Sequence, residues 1–482
     1  MSLRTLLLLP VLALAACQSG PDGAVPAPIP TAFTQAAQNA APIWPDQAWW
    51  KGFGSPELDQ LIAQAESGSF DVQAAIARVQ QADAQLRISG APLLPSLSGT
   101  GDQKWQRSYQ SGSSFSKLYS SAGGYRESRT SSATASASYE IDVWGKLRAT
   151  RDSALASARF SRFDQQSVAL TNISAIANAW FTALAYQDRL AVAERNLDDS
   201  EQILRAITGR MEAGTASALD VAQQEALVAG VRAGLPNLRS NITTNLNALG
   251  VLVGQLPEQI AVKPTSLIGL SLPAVAPGLP SELLARRPDV AASEAQLQAA
   301  NANIRAARAA MYPQIQLTGS GGWQSAALAT LFGPTSLLAN FAGSVTQTIF
   351  DNGQLQAQVD LDIGKREELV ADYHKAVVQA FTDVEDAMAQ YRYTTEQEAL
   401  EARAAEVAKR AADIARAQVL AGTSDIVTAL QTQSTLFNDL DTLAQVRLAR
   451  FQALVALYKA LGGGWQVRDV IPPETRLFQG VL

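Results

Sequence analysis

Two hydrophobic periodicities alternate along this chain, one helical and one extended. From Lys146 to Thr208 there are 63 residues without glycine or proline, and from Gln354 to Ala421 there are 68 with only Gly364 as a possible interruption. A helix of the first length would reach ~95 Å at 1.5 Å per residue. That exceeds ordinary globular helices and suits a coiled coil or a helical tube. The apolar spacing agrees: Val377, Phe381, Val384, Met388 and Tyr391 step by 4, 3, 4, 3, and Leu400, Val407 and Ile414 recur every seven, with Ala404 and Ala411 between them. Heptads of this kind under-wind helices into left-handed seams.

The extended segments read differently. Between Ser132 and Trp144, Ala133, Ala135, Ala137, Tyr139, Ile141 and Val143 alternate with Ser132, Thr134, Ser136, Ser138, Glu140 and Asp142. Pro313 to Trp323 and Phe341 to Ile349 alternate likewise, and a less regular segment near Leu97 to Tyr109 carries Trp105 and Tyr109. Alternation fits a half-buried soluble strand as well as a membrane strand. The length of ~10 residues with aromatic ends favours a membrane barrel strand, with Tyr139, Trp144 and Trp323 as interfacial anchors. Four strands do not close a barrel, and an open sheet edge in lipid leaves backbone groups unsatisfied. The chain is therefore expected to share one barrel with copies of itself.

The pattern occurs twice. Asp71, Val72, Ala74, Ala77, Gln80, Ala82, Ala84, Arg87, Ala91 and Pro95 recur at a constant offset of 218, from Asp289 to Pro313. Gly145, Leu147 and Ala149 match Gly353, Leu355 and Ala357, and Ala213-Gly214-Thr215 matches Ala421-Gly422-Thr423, both at an offset of 208. Each copy runs helix, two strands, very long helix, tight Gly-Thr turn, second long helix. A left-handed glycine ends a helix and lets the chain reverse.

Composition narrows the class. Charged residues are only 17%, and the single histidine, His374, and single cysteine, Cys17, leave no metal or nucleophile constellation, so an enzyme is not expected. The net charge of −6 argues against nucleic acid. Arg4, the apolar run Leu6 to Leu14 and the small residues before Cys17 read as an export signal too short to span a bilayer. Removing residues 1–16 leaves 466, with a net charge of −7 once Arg4 is lost.

The placement of Cys17 resembles a lipobox, which implies lipidation of that cysteine; Gln18 rather than aspartate implies the outer membrane as destination. Three further segments carry a family resemblance: Leu279-Pro280-Ser281-x-Leu283-Leu284-x-Arg286-Arg287-Pro288-Asp289-Val290, Tyr139-Glu140-Ile141-Asp142-Val143-Trp144-Gly145, and Met311-Tyr312-Pro313-Gln314-Ile315. Together with the repeat they resemble the TolC/OprM-type outer-membrane efflux channels, in the NodT-like lipoprotein branch that serves RND pumps, over roughly Trp49 to Trp465.

The resemblance implies a mainly α chain with a small membrane β-barrel: a homotrimer with twelve strands, four from each chain, standing on a coiled-coil tube that crosses the periplasm. It divides the chain into a signal peptide (1–16), a lipidated linker and equatorial segment (17–54), repeat 1 (55–254), a Pro-rich equatorial connector (255–280), repeat 2 (281–462) and an equatorial tail (463–482). Barrel strands are expected at about 95–110, 130–144, 313–323 and 339–350, and long helices at 146–208, 217–250, 354–420 and 425–461. No cofactor is implied.

As partners the resemblance implies a periplasmic membrane-fusion adaptor, an inner-membrane RND pump and outer-membrane lipid. The function implied is a passive duct exporting drugs or small toxic compounds. A duct for type I protein secretion and a coiled-coil lipoprotein without a pore are the competing readings. The tip turns, with Arg210, Gly214, Thr215, Gly422 and Thr423, would face the adaptor. Gln418 stands where the second copy would repeat Arg210. Some relatives ring the periplasmic aperture with carboxylates six and nine residues after the second glycine. Here those positions are Thr428 and Gln431, and Asp425 is the nearest acid. Glu140 and Asp142 are the expected charges of the barrel lumen. Arg286 and Arg287 are expected to pin the start of the second repeat rather than to touch cargo.

Overall fold

The computed structural model describes residues 29–30, 33–34, 42–110, 124–263, 265–276, 278, 280–424 and 426–465. Cys17, Asp425, the signal segment and most of the C-terminal tail therefore lie outside the described residues. The elements are α1 (Pro56–Gly68), α2 (Phe70–Gly90), β1 (Ser96–Gln110), β2 (Gly124–Ile141), α3 (Lys146–Glu212), α4 (Ala218–Val253), α5 (Pro280–Arg286), α6 (Pro288–Ala309), β3 (Gln314–Ser325), β4 (Leu337–Thr346), α7 (Gln354–Leu420) and α8 (Ile426–Ala460). The repeat is carried into the architecture: α3 and α7 have 67 residues each, ~100 Å at helical rise.

The helices form a wall with α3 near its middle. At the strand end, α2 and α6 pack on α3, and α6 also packs on α7; toward the turns, α4 and α8 pack on α3, and α8 also packs on α7. One edge of the wall is thus α2 and α4, and the other is α7. Alanine makes the close approach possible, with Ala292, Ala295, Ala299, Ala300 and Ala302 of α6 all buried.

The heptads of α7 fall on two different faces. Val377, Phe381, Val384 and Met388 are buried as the heptad implies, but Leu400, Val407 and Ile414 are 65%, 48% and 54% exposed, and Ala404 and Ala411 are exposed with them. The inner seam there is a second heptad one residue further round, with Ala405, Ala408, Ala415 and Val419 buried. A helix in a tube wall has a neighbour on each side and needs two seams. In one chain the α7 edge has only the inner one.

The largest core lies halfway along the wall. Trp49, Trp50 and Phe53 from the N-terminal segment meet Leu58 and Ile62 of α1, Trp180, Phe181 and Leu184 of α3, Leu249 and Val253 of α4, and Phe451, Leu454 and Tyr458 of α8. Trp49 stacks on Tyr458 at 4.9 Å, and Trp180 Nε1 donates to Glu57 Oε2 at 2.9 Å. Burial in this core pushes the Tyr458 hydroxyl up to about 12, with Tyr391 and Asp46 adding to the rise. Burying one such large side chain contributes ~1.5–3 kcal/mol. The connector joins this belt where Ile43 and Ala276 pair as an antiparallel bridge, at 2.9 and 3.1 Å.

Candidate functional site: sheet and tip turns

The four strands form one antiparallel sheet in the order β1-β2-β3-β4. Its register aligns Leu97 with Ala137, Ala137 with Gly319, and Gly319 with Phe341. Side chains alternate across a sheet, so Leu97, Ala133, Tyr139, Ile141, Ile315, Leu317, Trp323, Phe341 and Val345 share one apolar face. Ser98, Thr100, Ser132, Thr134, Ser136, Ser138, Gln316, Thr318 and Ser344 share the other. Among the described residues, both outer strands are unpaired along their free edges. Leu97, Phe341 and Val345 are 79%, 80% and 68% exposed.

The two acidic residues expected in the lumen both have partners. Glu140, on the polar face, pairs with Lys146 at 2.6 Å. Asp142 lies just past β2 and accepts from the backbone amides of Leu147 and Arg148 at 3.0 and 2.9 Å and from Arg148 Nε at 3.1 Å. This satisfies two orphan donors at the start of α3. Trp144 also lies past the strand. Its ring stacks on Tyr312 at 4.9 Å and its Nε1 donates to Pro313 O at 2.7 Å, which ties the first copy to the second below the sheet.

At the opposite end of the wall the two Gly-Thr turns are built alike. Gly214 N donates to Met211 O at 2.9 Å and Thr215 N to Arg210 O at 2.8 Å; Gly422 N donates to Val419 O at 3.0 Å and Thr423 N to Gln418 O at 2.9 Å. Each threonine hydroxyl bonds the same carbonyl as its amide. Gly214 and Gly422 have φ of 73° and 75°, the left-handed closure that satisfies the last helical carbonyls. Ile203, Ile207, Val221, Ala415, Val419, Ile426 and Ala429 gather the four helix ends into a small core.

The charges at the two turns differ. Arg210 turns across the wall: Nη1 donates to Val419 O at 2.9 Å, and Nη2 to Thr215 O at 3.4 Å. The arginine of the first turn thus caps the helix that ends at the second. Ser217 and Asp220 form a reciprocal capping box, at 2.8 and 3.2 Å, that starts α4. Arg416 pairs with Asp199 at 2.6 Å and also bonds Gln202, tying α7 to α3 above the tip. On α8, Thr428 and Gln431 are exposed, on the side away from buried Ile426, Ala429 and Gln433.

Inspection of the sequence missed a buried polar layer close to the tip. Gln224 of α4 donates to Ser200 O at 2.7 Å, and Gln433 of α8 donates to Ser200 Oγ at 2.8 Å and Asn196 Oδ1 at 3.0 Å. Ser200 and Gln224 are fully buried. A polar layer in an otherwise apolar seam fixes helix register. The two glutamines lie 209 residues apart, one off the repeat offset, and that was the available signal.

At the start of repeat 2, Arg287 does act as a pin. Buried, it donates to Asp289 at 3.0 and 2.6 Å, to Asp383 at 2.9 Å, and to the carbonyls of Ala380 and Ala460 at 3.4 and 3.2 Å. Burial opposes the Asp289 charge, but the Arg287 guanidinium and the Val290 amide outweigh it and hold this carboxyl below its ordinary range. Arg286 lies over the Trp44 ring at 4.4 Å.

The chain matches the family model of the outer membrane efflux proteins in two segments, residues 61–255 and 279–463. It is 39% identical over 479 residues to the pyoverdine export outer membrane protein OpmQ of Pseudomonas aeruginosa, covering 97% of this chain and 98% of that protein. It is 32% identical over 438 residues to the toluene efflux pump outer membrane protein TtgC of Pseudomonas putida, covering 90% and 87%. The solved outer-membrane channel OprN superposes with a TM-score of 0.83 at 25% identity, over 93% of this chain and all of that one. This chain belongs to the outer membrane efflux protein family; it is a channel component of the outer membrane and not an enzyme.

Proposed function

We propose that three copies close into a passive export duct, with the sheets joined as one barrel in the outer membrane and the helical walls joined as a tube in the periplasm. The observation that carries this reading is the pairing of free edges. The edge helix α2 leads into the edge strand β1, and the edge strand β4 leads into the edge helix α7. At both levels, one unpartnered edge thus faces each way around. Two different edges that meet head to tail generate a ring when the rotation closes. Three copies give twelve strands, within the range of membrane barrels, and bury the exposed stripe of Leu400, Val407 and Ile414 against the next copy. Cys17, lipidated, adds an anchor in the same membrane.

The tip turns then point inward toward the periplasmic adaptor and, through it, an RND pump that supplies the energy. Arg210, Gly214, Thr215, Gly422 and Thr423 form the end surface, and Asp425, Thr428 and Gln431 border the aperture, with neutral residues at two of the three positions. In the barrel, Glu140 and Asp142 belong to the lumen wall with their charges already paired. The cargo is small molecules selected upstream. Relatives whose names specify pyoverdine and toluene align along nearly the whole chain, and a water-filled passage needs no recognition pocket.

Deletion of the gene, followed by export and susceptibility assays with and without the pump, tests this. Compound accumulation is expected on deletion and reversal by the intact gene, with no further effect in a pump-deficient strain. Particles extracted from the membrane are expected to hold three chains. Single-chain particles, or undiminished export on deletion, would overturn the reading.

A further inference from the structure

β1 and β2 have 15 and 18 residues, whereas β3 and β4 have 12 and 10. The β2–β3 pairing stops at Ser131 opposite Ser325. Residues 124–130 of β2, with their partners 104–110 of β1, therefore project past the rest of the sheet by ~24 Å at 3.4 Å per residue. The projection points away from the helical wall, because the helices join the sheet at its other end.

The apolar face changes character on this projection. Below it lie Ala133, Trp323 and the rest of the apolar band. On it, Trp105 sits opposite Arg129, Arg107 opposite Glu127 and Tyr109 opposite Tyr125. The Arg107 guanidinium lies over the Tyr125 ring at 4.3 Å and 3.8 Å from the Glu127 carboxylate. Tyr125 and Tyr109 meet edge-on at 5.3 Å. All six side chains are exposed. On this face Arg107 and Arg129 stand against Glu127 alone, a local net charge of +1 in a chain of −6, while Lys104 and Arg126 lie on the opposite face.

We propose that this face of the β1–β2 projection binds the phosphorylated headgroups of outer-leaflet lipids. The inference rests on the proposed placement of the sheet in the membrane with its free hairpin ends outward. Height and chemistry then select the occupant. Arg129 lies four residues beyond the Ala133–Trp323 level, ~14 Å along the strand and ~10 Å in height at the usual barrel tilt. That sets Arg129 just above the apolar band and Arg107, two residues further along the register, ~5 Å higher, within the depth where headgroups lie. Guanidinium forks match phosphate oxygens, and Trp and Tyr favour the same interfacial depth. Arg107 is held in place by Tyr125 and Glu127, so part of its ordering has already taken place. Lys104 and Arg126 point to the polar face and do not contribute.

The test uses the full-length channel purified from outer membranes, as wild type, as Arg107→Gln/Arg129→Gln and as Lys104→Gln/Arg126→Gln. Each protein is first shown to reach the outer membrane and to support export, so a failure here is distinguishable from failure of the duct reading. Each is then placed in phosphatidylcholine nanodiscs doped with a bis-phosphorylated lipid A or with its dephosphorylated form, and retained lipid is measured by native mass spectrometry. Wild type and the polar-face variant are expected to retain the phosphorylated lipid. The outward variant is expected to lose roughly thirtyfold, the scale of two cation–headgroup contacts, and dephosphorylated lipid is expected to bind all three equally weakly. Millimolar inorganic phosphate should displace none of it. Equal retention in wild type and the outward variant, equal loss in the polar-face variant, or displacement by inorganic phosphate would each overturn the proposal.

Discussion

The two tip turns share their hydrogen bonds, their φ angles and their Ala-Gly-Thr sequence, yet only the first carries a cation. Arg210 leaves its own turn and caps α7 at Val419 O, while Gln418 in the equivalent position makes no such crossing among the bonds described. The helix starts of the two copies reverse this asymmetry: α6 is pinned by Arg287, and α2 begins at Ser69 without an arginine. Duplication thus preserved backbone geometry at each corner but assigned the charge to only one copy. The difference teaches that the shared geometry lets the chain reverse, and the unshared charges hold the copies to their neighbours.

The strongest way to break the comparison is Gly214→Pro or Gly422→Pro. Proline cannot adopt a φ of 73° or 75° and removes an amide that closes the turn, a local cost of ~3 kcal/mol or more. Export is expected to be lost in both variants while membrane-extracted particles still hold three chains; retained drug resistance would detach the turns from function. Next in size is Arg210→Ala, expected to loosen the last turn of α7 by about 1–2 kcal/mol, read as faster amide exchange at residues 420–424. Gln418→Ala should leave those amides unchanged.

A similar effect, ~1 kcal/mol, is expected for Ser217→Ala through loss of the α4 cap, seen as fraying confined to that helix start. The smallest effect concerns pH. Because the folded Asp289 carboxyl titrates below its ordinary range, its contribution is full above about pH 4 and fades as acid protonates it in the fold. Thermal melts between neutral and acidic pH should show a shallow acid slope that Asp289→Asn flattens, and an unchanged slope would remove Asp289 from the account.

Most of the architecture was readable because helix and strand periods differ so plainly. α7 begins at Gln354 and ends at Leu420, where glycines bracket the heptads. Strand limits were less legible. β2 starts at Gly124, because Tyr125 to Arg129 place aromatic and charged groups on the face that turns apolar lower down, which hides the alternation. β4 ends at Thr346, and Asp351 then caps the start of α7 through Leu355 N. What covers each seam was less legible still. Leu400, Val407 and Ile414 form a heptad that one chain leaves exposed, while Ala405, Ala408, Ala415 and Val419 form the seam that it buries itself. Pattern alone reports that a face is apolar and not which molecule covers it. The direction of Arg210 was equally hidden, since spacing places it near its own glycine and only packing brings the other copy's helix end beside it.

The unpaired edges of β1 and β4 also have a genetic consequence. A ring of three draws its members from one pool, so a cell making wild-type and defective chains equally builds only about one ring in eight entirely from wild type. Lesions at the tip turns, which leave the edges intact, should therefore be dominant. Lesions that spoil a sheet edge should be recessive, because such chains never enter a ring.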